Sequence, residues 1–424
     1  LVGSEMCIRD RLSFYARGGY YDNKTRRPYE AYDYNILHET FNYGIGAQYM
    51  INKGNYITAD CYADHFSSSY CFFKDNKTYN GKAGEEQVRK RTRNHNLSIK
   101  GIFKLGNRHK LSVGTEYIVD VLKSQTDNIA KEDAYTLALF AQDEIKLLRN
   151  LQALIGVRYI YHENFKNHAT PNVALMYKPG KFNFRASYAA GFRTPTLSEL
   201  YATDIAKKND RLTIGNLDLK PEKNNYFSLS AEYVHERFSV SVNAFYNNIR
   251  DMIDYNTIAT GDKAMEQYGH KEVRQRDNIA EAKVHGINVS ANAYLGAGFN
   301  LSGGYTHLNT QDVELEQPID KSIKNAYNIN AQWAHSWKIY RLNINLNGRF
   351  NSKRFSKSYG YAPEYQLWDL NTRHSFNLKS VIIEPGCGME NLFDYMDDRP
   401  YNSNYATLTP GRSFYISLSL KFKS

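Results

Sequence analysis

Along most of this chain, apolar and polar residues alternate one by one. In the stretch 340–350, YRLNINLNGRF, apolar side chains occupy nearly every second position, with asparagine or arginine between them. The stretches 238–246, 299–308 and 327–335 repeat the pattern. A period of two predicts β-strands with one apolar and one polar face, whereas a helix needs a period near 3.6.

The segments between the predicted strands alternate in length. Short connections at 378–380, 336–338 and 296–298 alternate with long ones at 351–364 and 310–324. Outer-membrane barrels have short turns at one rim and long loops at the other. We therefore predict an all-β, antiparallel transmembrane β-barrel, since a soluble β-sandwich or β-helix would not require this alternation. Further long connections are predicted at 74–94, 124–135, 193–223, 254–270 and 393–413.

About eighteen strands are predicted between residue 12 and the end, many of them ten residues or longer and able to cross a bilayer when tilted. The chain has 424 residues, a formal charge of +10 and 35 tyrosines, which suit interfacial girdles. Mean hydropathy is −0.62 and no run of 18 apolar residues occurs, which excludes helical membrane spans. The four cysteines show neither metal-ligand spacing nor a disulfide framework, and we predict no cofactor or metal.

The first residues, LVGSEMCIRD, resemble one reading frame of a sequencing-library adapter. We therefore expect 1–11 to be non-native and 12–424 to be an incomplete barrel. The last strand, SFYISLSLKF, is apolar on one face, which would promote aggregation at the edge of a soluble sheet but suits a lipid-facing strand. Its near-terminal aromatic also resembles the assembly signal of outer-membrane proteins. The residues of that face are Phe414, Ile416, Leu418, Leu420 and Phe422.

Six stretches, in order along the chain, resemble the TonB-dependent outer-membrane receptor family. They are FAQDEIKLLRNLQALIGVRY (140–159), YAAGFRTPTLSELY (188–201), GNLDLKPEKNNYFSLSAEY (215–233), VNAFYNNIRDMI (242–253), NIAEAKVHGINV (278–289) and ENLFDYMDDRPY with PGRSFYISLSLKF (390–422). The resemblance implies a 22-stranded barrel with an N-terminal plug and a TonB box in the outer membrane of a Gram-negative bacterium. We expect the plug, the TonB box and about four strands to be missing, and hence no active uptake by these 424 residues alone.

The resemblance also implies TonB-energised uptake of a small chelate: a ferric siderophore, haem or cobalamin. Haem receptors of this family carry two short motifs around an iron-ligating histidine. In this chain, Phe192-Arg193-Thr194-Pro195 resembles the first motif and Asn216-Leu217-Asp218-Leu219 resembles the second. No histidine lies between these two segments. The other candidates for ligand contact are His270, as a replacement ligand, and Tyr201, Tyr359, Tyr361 and Tyr365.

The loop predicted at 74–94 is rich in lysine and arginine. Such a loop would attract an anionic ligand to the mouth of the barrel or contact the anionic lipopolysaccharide surface. The expected partners are outer-membrane lipid and lipopolysaccharide, the TonB complex and the small chelate, with no nucleic acid, because the basic residues are dispersed. No motif of an enzyme active site occurs, and we predict no catalysis. The alternative functions are a passive porin or an adhesin-type barrel.

Overall fold

A computed structural model of the chain describes residues 2–8, 11–26, 34–77, 79–206, 210–357, 360–397, 409 and 411–422. Strands make up nearly all of its regular structure, and neither described helix is long and apolar enough to cross a membrane. In chain order the elements are β1 (Val2–Ile8), β2 (Leu12–Arg26), β3 (Tyr34–Asn52), β4 (Asn55–Phe72), β5 (Glu86–Leu105), β6 (His109–Ser124), β7 (Ile129–Leu148), β8 (Leu151–His162), β9 (Lys166–Tyr177), β10 (Phe182–Arg193), α1 (Leu197–Tyr201), β11 (Thr203–Ala206), β12 (Arg211–Ile214), β13 (Glu222–Val234), β14 (Phe238–Thr260), α2 (Gly261–Tyr268), β15 (Glu272–Gly296), β16 (Phe299–Asp312), β17 (Asn325–Trp337), β18 (Tyr340–Asn351), β19 (Arg354–Ser356), β20 (Gly360–Ala362), β21 (Tyr365–Asn377), β22 (Val381–Glu390) and β23 (Ser413–Phe422).

The strand count agrees with the prediction. Within the described residues from 12 onward, eighteen strands are ten residues or longer: β2–β10, β13–β18 and β21–β23. One sheet contains 21 strands, and β19 with β20 forms a separate hairpin. Sequential long strands pair antiparallel, as in β3–β4 and β17–β18, while the short β12 pairs parallel with the start of β15.

The two kinds of connection are also present, although the bounds of several predicted long connections were wrong. Tight turns lie at 53–54, 106–108 and 149–150. The connection predicted as long at 124–135 contains only residues 125–128, because β7 already begins at Ile129 and pairs with Ser124. Residues 130–133, AKED, are mostly polar, so hydrophobic alternation gives little signal at the start of this strand.

The chain forms two compact units. The first comprises 1–174, 189–224 and 250–280, and the second comprises 175–188, 225–249 and 281–424. In the first unit, Leu97, Tyr117 and Leu137 are register partners on β5, β6 and β7, and all three are exposed. Their strands therefore present a continuous exposed surface, which we call the apolar face. A surface of this kind requires lipid or a protein partner.

The last strand belongs to the second unit. β23 pairs with β22 along its whole length, and its five predicted apolar-face residues are all exposed, Ile416 to 89%. This exposure suits a lipid-facing strand. Its role as an assembly signal stays a prediction, and the final residues 423–424 lie outside the described part of the chain.

Candidate functional site

The segment after β10 changes from strand to helix within three residues. Pro195 cannot continue the ladder, and Thr196 then caps α1. The Thr196 hydroxyl accepts a hydrogen bond from the Glu199 backbone N–H at 3.2 Å, while the Glu199 carboxylate accepts from the Thr196 backbone N–H at 2.8 Å. This reciprocal capping box is encoded by the sequence TLSE and gives the short helix a defined start.

Arg193 links this helix to the beginning of β13. Its guanidinium donates to Glu222 at 2.8 Å from Nε and 2.7 Å from Nη2. It donates to Glu199 at 2.8 Å from Nη1 and 3.3 Å from Nη2. The two carboxylate side chains are largely buried, with exposed fractions of 13% for Glu199 and 16% for Glu222. A planar guanidinium suits this two-sided, forked arrangement, which a lysine would not reproduce.

These ion pairs shift the pKa values of Arg193 and Glu199. The hydrogen bond to Glu222, with a smaller contribution from Glu199, raises the pKa of the Arg193 guanidinium. Burial by itself would raise the pKa of the Glu199 carboxyl, but the hydrogen bonds from Arg193 and Thr196 outweigh it and hold that pKa below its usual range. Arg193 and Glu199 are therefore both charged at neutral pH. Glu222 also accepts a hydrogen bond from the Ile253 backbone N–H at 2.8 Å.

Apolar contacts join the same two segments. Leu200 of α1, Leu219 of the second motif and Ile253 of β14 form one buried cluster, against which Tyr201 packs. Gly215 allows the close approach, since a Cβ at this position would lie 2.6 Å from the Leu200 carbonyl carbon and 2.8 Å from the Tyr201 nitrogen. We call this contact between 193–201 and 215–222 the motif junction.

Backbone hydrogen bonds complete the motif junction. The Gly215 N–H donates to the Ala202 carbonyl at 2.6 Å, and the Asn216 N–H donates to the Glu199 carbonyl at 3.0 Å. Two carbonyl groups at the end of α1 are thus satisfied by Gly215 and by the first residue of the second motif. Asn216 in turn accepts from the Asp218 N–H at 2.9 Å, forming a local turn.

A second contact fixes α1 to the turn between β6 and β7. The Ser198 hydroxyl donates to the Asp127 carboxylate at 3.2 Å, and the Thr203 N–H donates to the Asp127 carbonyl at 2.7 Å. Lys90 of β5 pairs with the same carboxylate at 3.5 Å. Leu197 adds an apolar contact, because it is buried in a cluster with Leu122, Ile129 and Ala134.

A cavity of about 430 Å³ lies between the start of α1 and the polar face of β4–β8. Its lining includes Asp64, Lys90, Asp120 and the segment 194–198, and Asn94 donates to Asp120 at 2.8 Å. The lining combines the two carboxylates and the Asn94 amide with Lys90 and His162, and Arg93 of β5 also borders the cavity. These groups provide hydrogen-bond donors and acceptors rather than a uniformly positive surface.

The basic loop predicted at 74–94 has different bounds in the structure, while its role in attracting an anion stays a prediction. The basic residues counted as one loop at 74–94 are divided by β5, which already begins at Glu86. Because strand side chains alternate between faces, Lys90 turns toward the cavity, while Arg91 lies on the apolar face with Leu97. Loop length alone could not reveal this division.

The other predicted ligand residues lie in separate places. Phe192 stacks on His168 with ring centroids 4.5 Å apart. His270 contacts the Asp210 carboxylate at 2.9 Å, and this hydrogen bond lowers the pKa of the aspartate. Thr194 and Pro195 line the cavity, and Leu217 is exposed to solvent.

The predicted tyrosine group belongs to the second unit. Tyr361 is exposed on β20, with an edge contact to Phe355 at 5.3 Å, and Tyr365 stacks on Tyr395 at 5.7 Å. Tyr359 lies outside the described residues. The ligand-contact roles of all these residues stay predictions.

Several residues of this site were not foreseen. Glu199 was recognisable from the capping-box spacing, but Glu222, Asp127 and Gly215 carry no local signal of their partners. The described residues contain no cluster of three or more histidine, cysteine, aspartate or glutamate side chains that could hold a metal ion.

Comparison with known proteins gives a consistent result. The family model described as "TonB dependent receptor-like, beta-barrel" matches residues 8–391. A variant of the ferric enterobactin receptor PfeA from Pseudomonas aeruginosa is 16% identical, with a TM-score of 0.70 over 99% of this chain and 77% of that chain. The siderophore receptor PirA from the same organism is 16% identical, with a TM-score of 0.67 over 100% of this chain and 76% of that chain.

BauA, the ferric preacinetobactin receptor from Acinetobacter baumannii, is 14% identical, with a TM-score of 0.69 over 99% of this chain and 71% of that chain. At these identities the structural likeness establishes the fold, while the family model covers most of the sequence. The predicted fold class, family and location are thus confirmed, and the chain belongs to the TonB-dependent receptor-like β-barrels of the Gram-negative outer membrane.

Proposed function

We propose that this chain is the barrel of a receptor that imports a small ferric chelate of the siderophore class, with energy supplied through TonB. The observation that carries the proposal is the motif junction, which holds α1 as one wall of a polar cavity of about 430 Å³. A wall fixed before the ligand arrives reduces the entropy lost on binding. A cavity of this size suits a compact ligand rather than a polymer.

The chemistry of the cavity supports a chelate that both donates and accepts hydrogen bonds. Lys90 and Asn94 offer donors, while Asp64 and Asp120 offer acceptors. The similar receptors named above carry ferric enterobactin, siderophore and ferric preacinetobactin in their descriptions. These descriptions favour the siderophore class for this chain over the haem and cobalamin also considered from the sequence.

Haem is further disfavoured by the surroundings of the candidate histidine. The segment between the two motifs lacks histidine, and the His270 Nδ1 atom already contacts Asp210 at 2.9 Å. Only Nε2 of His270 is left to bind haem iron. His270 is therefore a weaker candidate for an iron ligand than a histidine between the two motifs would be. The two motifs instead contact each other in the motif junction, so their presence has a structural explanation that does not involve haem.

Uptake of radiolabelled iron tests the proposal. The complete open reading frame that contains this chain is expressed in a receptor-null strain, with and without functional TonB. We expect saturable uptake of at least one ferric siderophore that disappears without TonB. Catecholate, hydroxamate and mixed-ligand chelates are compared with haem and labelled cobalamin. Uptake that rises linearly with concentration and persists without TonB would support a passive porin, and cell adhesion without uptake would support an adhesin.

A further inference from the structure

A row of hydrogen-bond acceptors crosses the wall of the cavity beside α1. Asp64 of β4, Asn94 of β5 and Asp120 of β6 are successive partners in the register of three neighbouring strands. All three residues line the cavity. Neighbouring strands lie about 4.8 Å apart, so the Cα atoms of the two aspartates are roughly 10 Å apart, with the asparagine between them. We call these three residues the acidic row.

The hydrogen bonds within the acidic row leave one oxygen of each side chain available. Asn94 Nδ2 donates to Asp120 Oδ1 at 2.8 Å, and the Tyr62 hydroxyl donates to Asp64 Oδ2 at 3.4 Å. No donor of the described residues is bonded to Asp64 Oδ1, Asn94 Oδ1 or Asp120 Oδ2. A primary ammonium group has three N–H donors, so the acidic row matches it in number of hydrogen bonds and in charge.

The carboxylates of the acidic row also lack a cationic partner in the part of the chain that the structure describes. Lys90 lines the same cavity but pairs with Asp127 at 3.5 Å. Arg93 borders the cavity too, yet it alternates with Asn94 along β5 and forms no ion pair with either aspartate. The negative charges of the acidic row are thus left uncompensated, and a cationic group of a ligand would compensate them.

A buried histidine on the same wall offers a hydrogen-bond donor. His162, at the end of β8, lines the cavity and is only 7% exposed. Its Nδ1 atom accepts a hydrogen bond from the Asn164 backbone N–H at 3.1 Å, so the ring carries its proton on Nε2. This Nε2–H group has no acceptor among the described residues, which leaves it for a group that enters the cavity. An acceptor oxygen of a ligand would satisfy the buried donor.

We propose that the imported ferric chelate carries a protonated primary amine that binds the acidic row, and that an oxygen of the same chelate accepts a hydrogen bond from His162. This inference rests on the proposed function and narrows it to siderophores with a free amine. Hydroxamate siderophores built from diamines have this chemistry, because they combine acceptor oxygens with an ammonium group. Highly anionic chelates, such as ferric tris-catecholates, are disfavoured in this cavity, since their charge would face the carboxylates.

Competition binding with a matched pair of ligands tests the inference. The complete open reading frame that contains this chain is expressed in a receptor-null strain. Two linear ferric trihydroxamates are compared, one with a free terminal amine and the same molecule with that amine acetylated. Acetylation removes the charge and leaves the iron centre unchanged. We expect the free-amine form to bind at least about tenfold more tightly, a difference of about 1.4 kcal/mol.

The acidic row is tested by combining Asp64→Asn with Asp120→Asn. This double variant keeps the size of both side chains and should bind the two hydroxamates equally well. The matched control, Asp22→Asn with Asp133→Asn, removes two exposed acids that do not line the cavity and should keep the preference. Heat-modifiable migration on gels verifies that each variant is folded. If the double variant fails this check, Asp120→Asn alone decides the outcome, because Asp120 is exposed.

His162 is tested with two further variants. His162→Leu should weaken binding of both hydroxamates to the same extent. His162→Gln retains an N–H donor and should bind both more tightly than the leucine variant does. Equal affinity of the parent chain and the leucine variant would overturn the role of the histidine.

The outcomes separate this inference from the proposed function. TonB-dependent uptake of both hydroxamates without a preference would overturn the inference and leave the proposed function intact. The same holds if the double aspartate variant keeps the preference, or if the control variant loses it. An absence of saturable binding for every ferric chelate would overturn the proposed function and this inference together.

Discussion

Arg193 and Glu222 lie 29 residues apart and meet through two hydrogen bonds of 2.7 and 2.8 Å. The contact connects the end of β10 to the start of β13, across an excursion that contains α1, β11 and β12. Glu199 contacts the opposite edge of the same guanidinium at 2.8 Å. The arginine of the first motif is thus a structural centre of the loop, whatever ligand the receptor carries.

Replacing Arg193 with lysine should loosen the motif junction. An ammonium group cannot satisfy both carboxylates in the forked geometry, so Arg193→Lys should lower the local stability of 194–216 by roughly 1 kcal/mol, given the partial exposure of the guanidinium. Amide hydrogen exchange of that segment measures the change. The control is Arg349→Lys, where the ion pair with Asp369 is 3.9 Å long and the arginine is largely exposed. Equal protection of 194–216 in parent and variant would contradict the prediction.

The motif junction should also weaken in acid. Hydrogen bonds hold the pKa of Glu199 below its ordinary value of 4.5 despite its burial, so the folded loop binds fewer protons than the unfolded loop. The resulting stability is complete above about pH 4.5 and is lost as the pH falls through the lowered pKa of the folded state. Protease sensitivity of 194–216 between pH 7 and pH 3 should therefore rise in the parent chain.

Glu199→Gln is the control for this pH dependence, because an amide does not titrate in that range. The variant should be less protected at neutral pH and should show a flatter profile below pH 4.5. If the parent and the variant change in parallel, another acidic group controls the transition.

Gly215 should tolerate no side chain. Even the methyl group of Gly215→Ala would contact the backbone of Leu200 and Tyr201 at less than 3 Å, and backbone cannot rotate away as a side chain can. We expect α1 to be displaced and siderophore affinity to fall by about tenfold or more, measured by equilibrium binding of labelled chelate to whole cells. Gly18→Ala is the control, because its nearest neighbour, the Asn42 carbonyl, is 3.8 Å away. Unchanged affinity in the Gly215 variant would show that the close approach is not required for binding.

The sequence predicted the strands far better than the contacts of the site. Alternation is a local property, so a stretch such as 340–350 identifies both the strand and its apolar face. The capping box of α1 is local as well. In contrast, Ser198 meets Asp127 across 71 positions of sequence, and neither residue carries a signal of the other.

The basic residues near 90 show a further limit of sequence patterns. Whether Lys90 and Arg91 belong to a loop or to a strand decides which of them faces the cavity. The start of β5 at Glu86 depends on its ladder with β4, which a pattern of mostly polar residues does not reveal.

The second motif offers a comparison between two leucines only two residues apart. Leu219 is 4% exposed within the cluster of Leu200 and Ile253, whereas Leu217 is 66% exposed. Leu219→Ala should create a cavity and lower the stability of the loop by about 2–5 kcal/mol, while Leu217→Ala should change it by less than about 0.5 kcal/mol. Amide exchange of 194–222 and thermal unfolding measure both effects.

The same pair separates packing from ligand contact. If Leu219 acts through packing, chelate affinity should fall in Leu219→Ala together with the protection of α1, and Leu219→Met should largely restore both, because methionine has a similar volume. If Leu217 contacts the ligand, its alanine variant should lose affinity with no loss of protection. A Leu219 variant that keeps full amide protection but binds poorly would contradict the packing role, since the side chain would then act on the ligand directly.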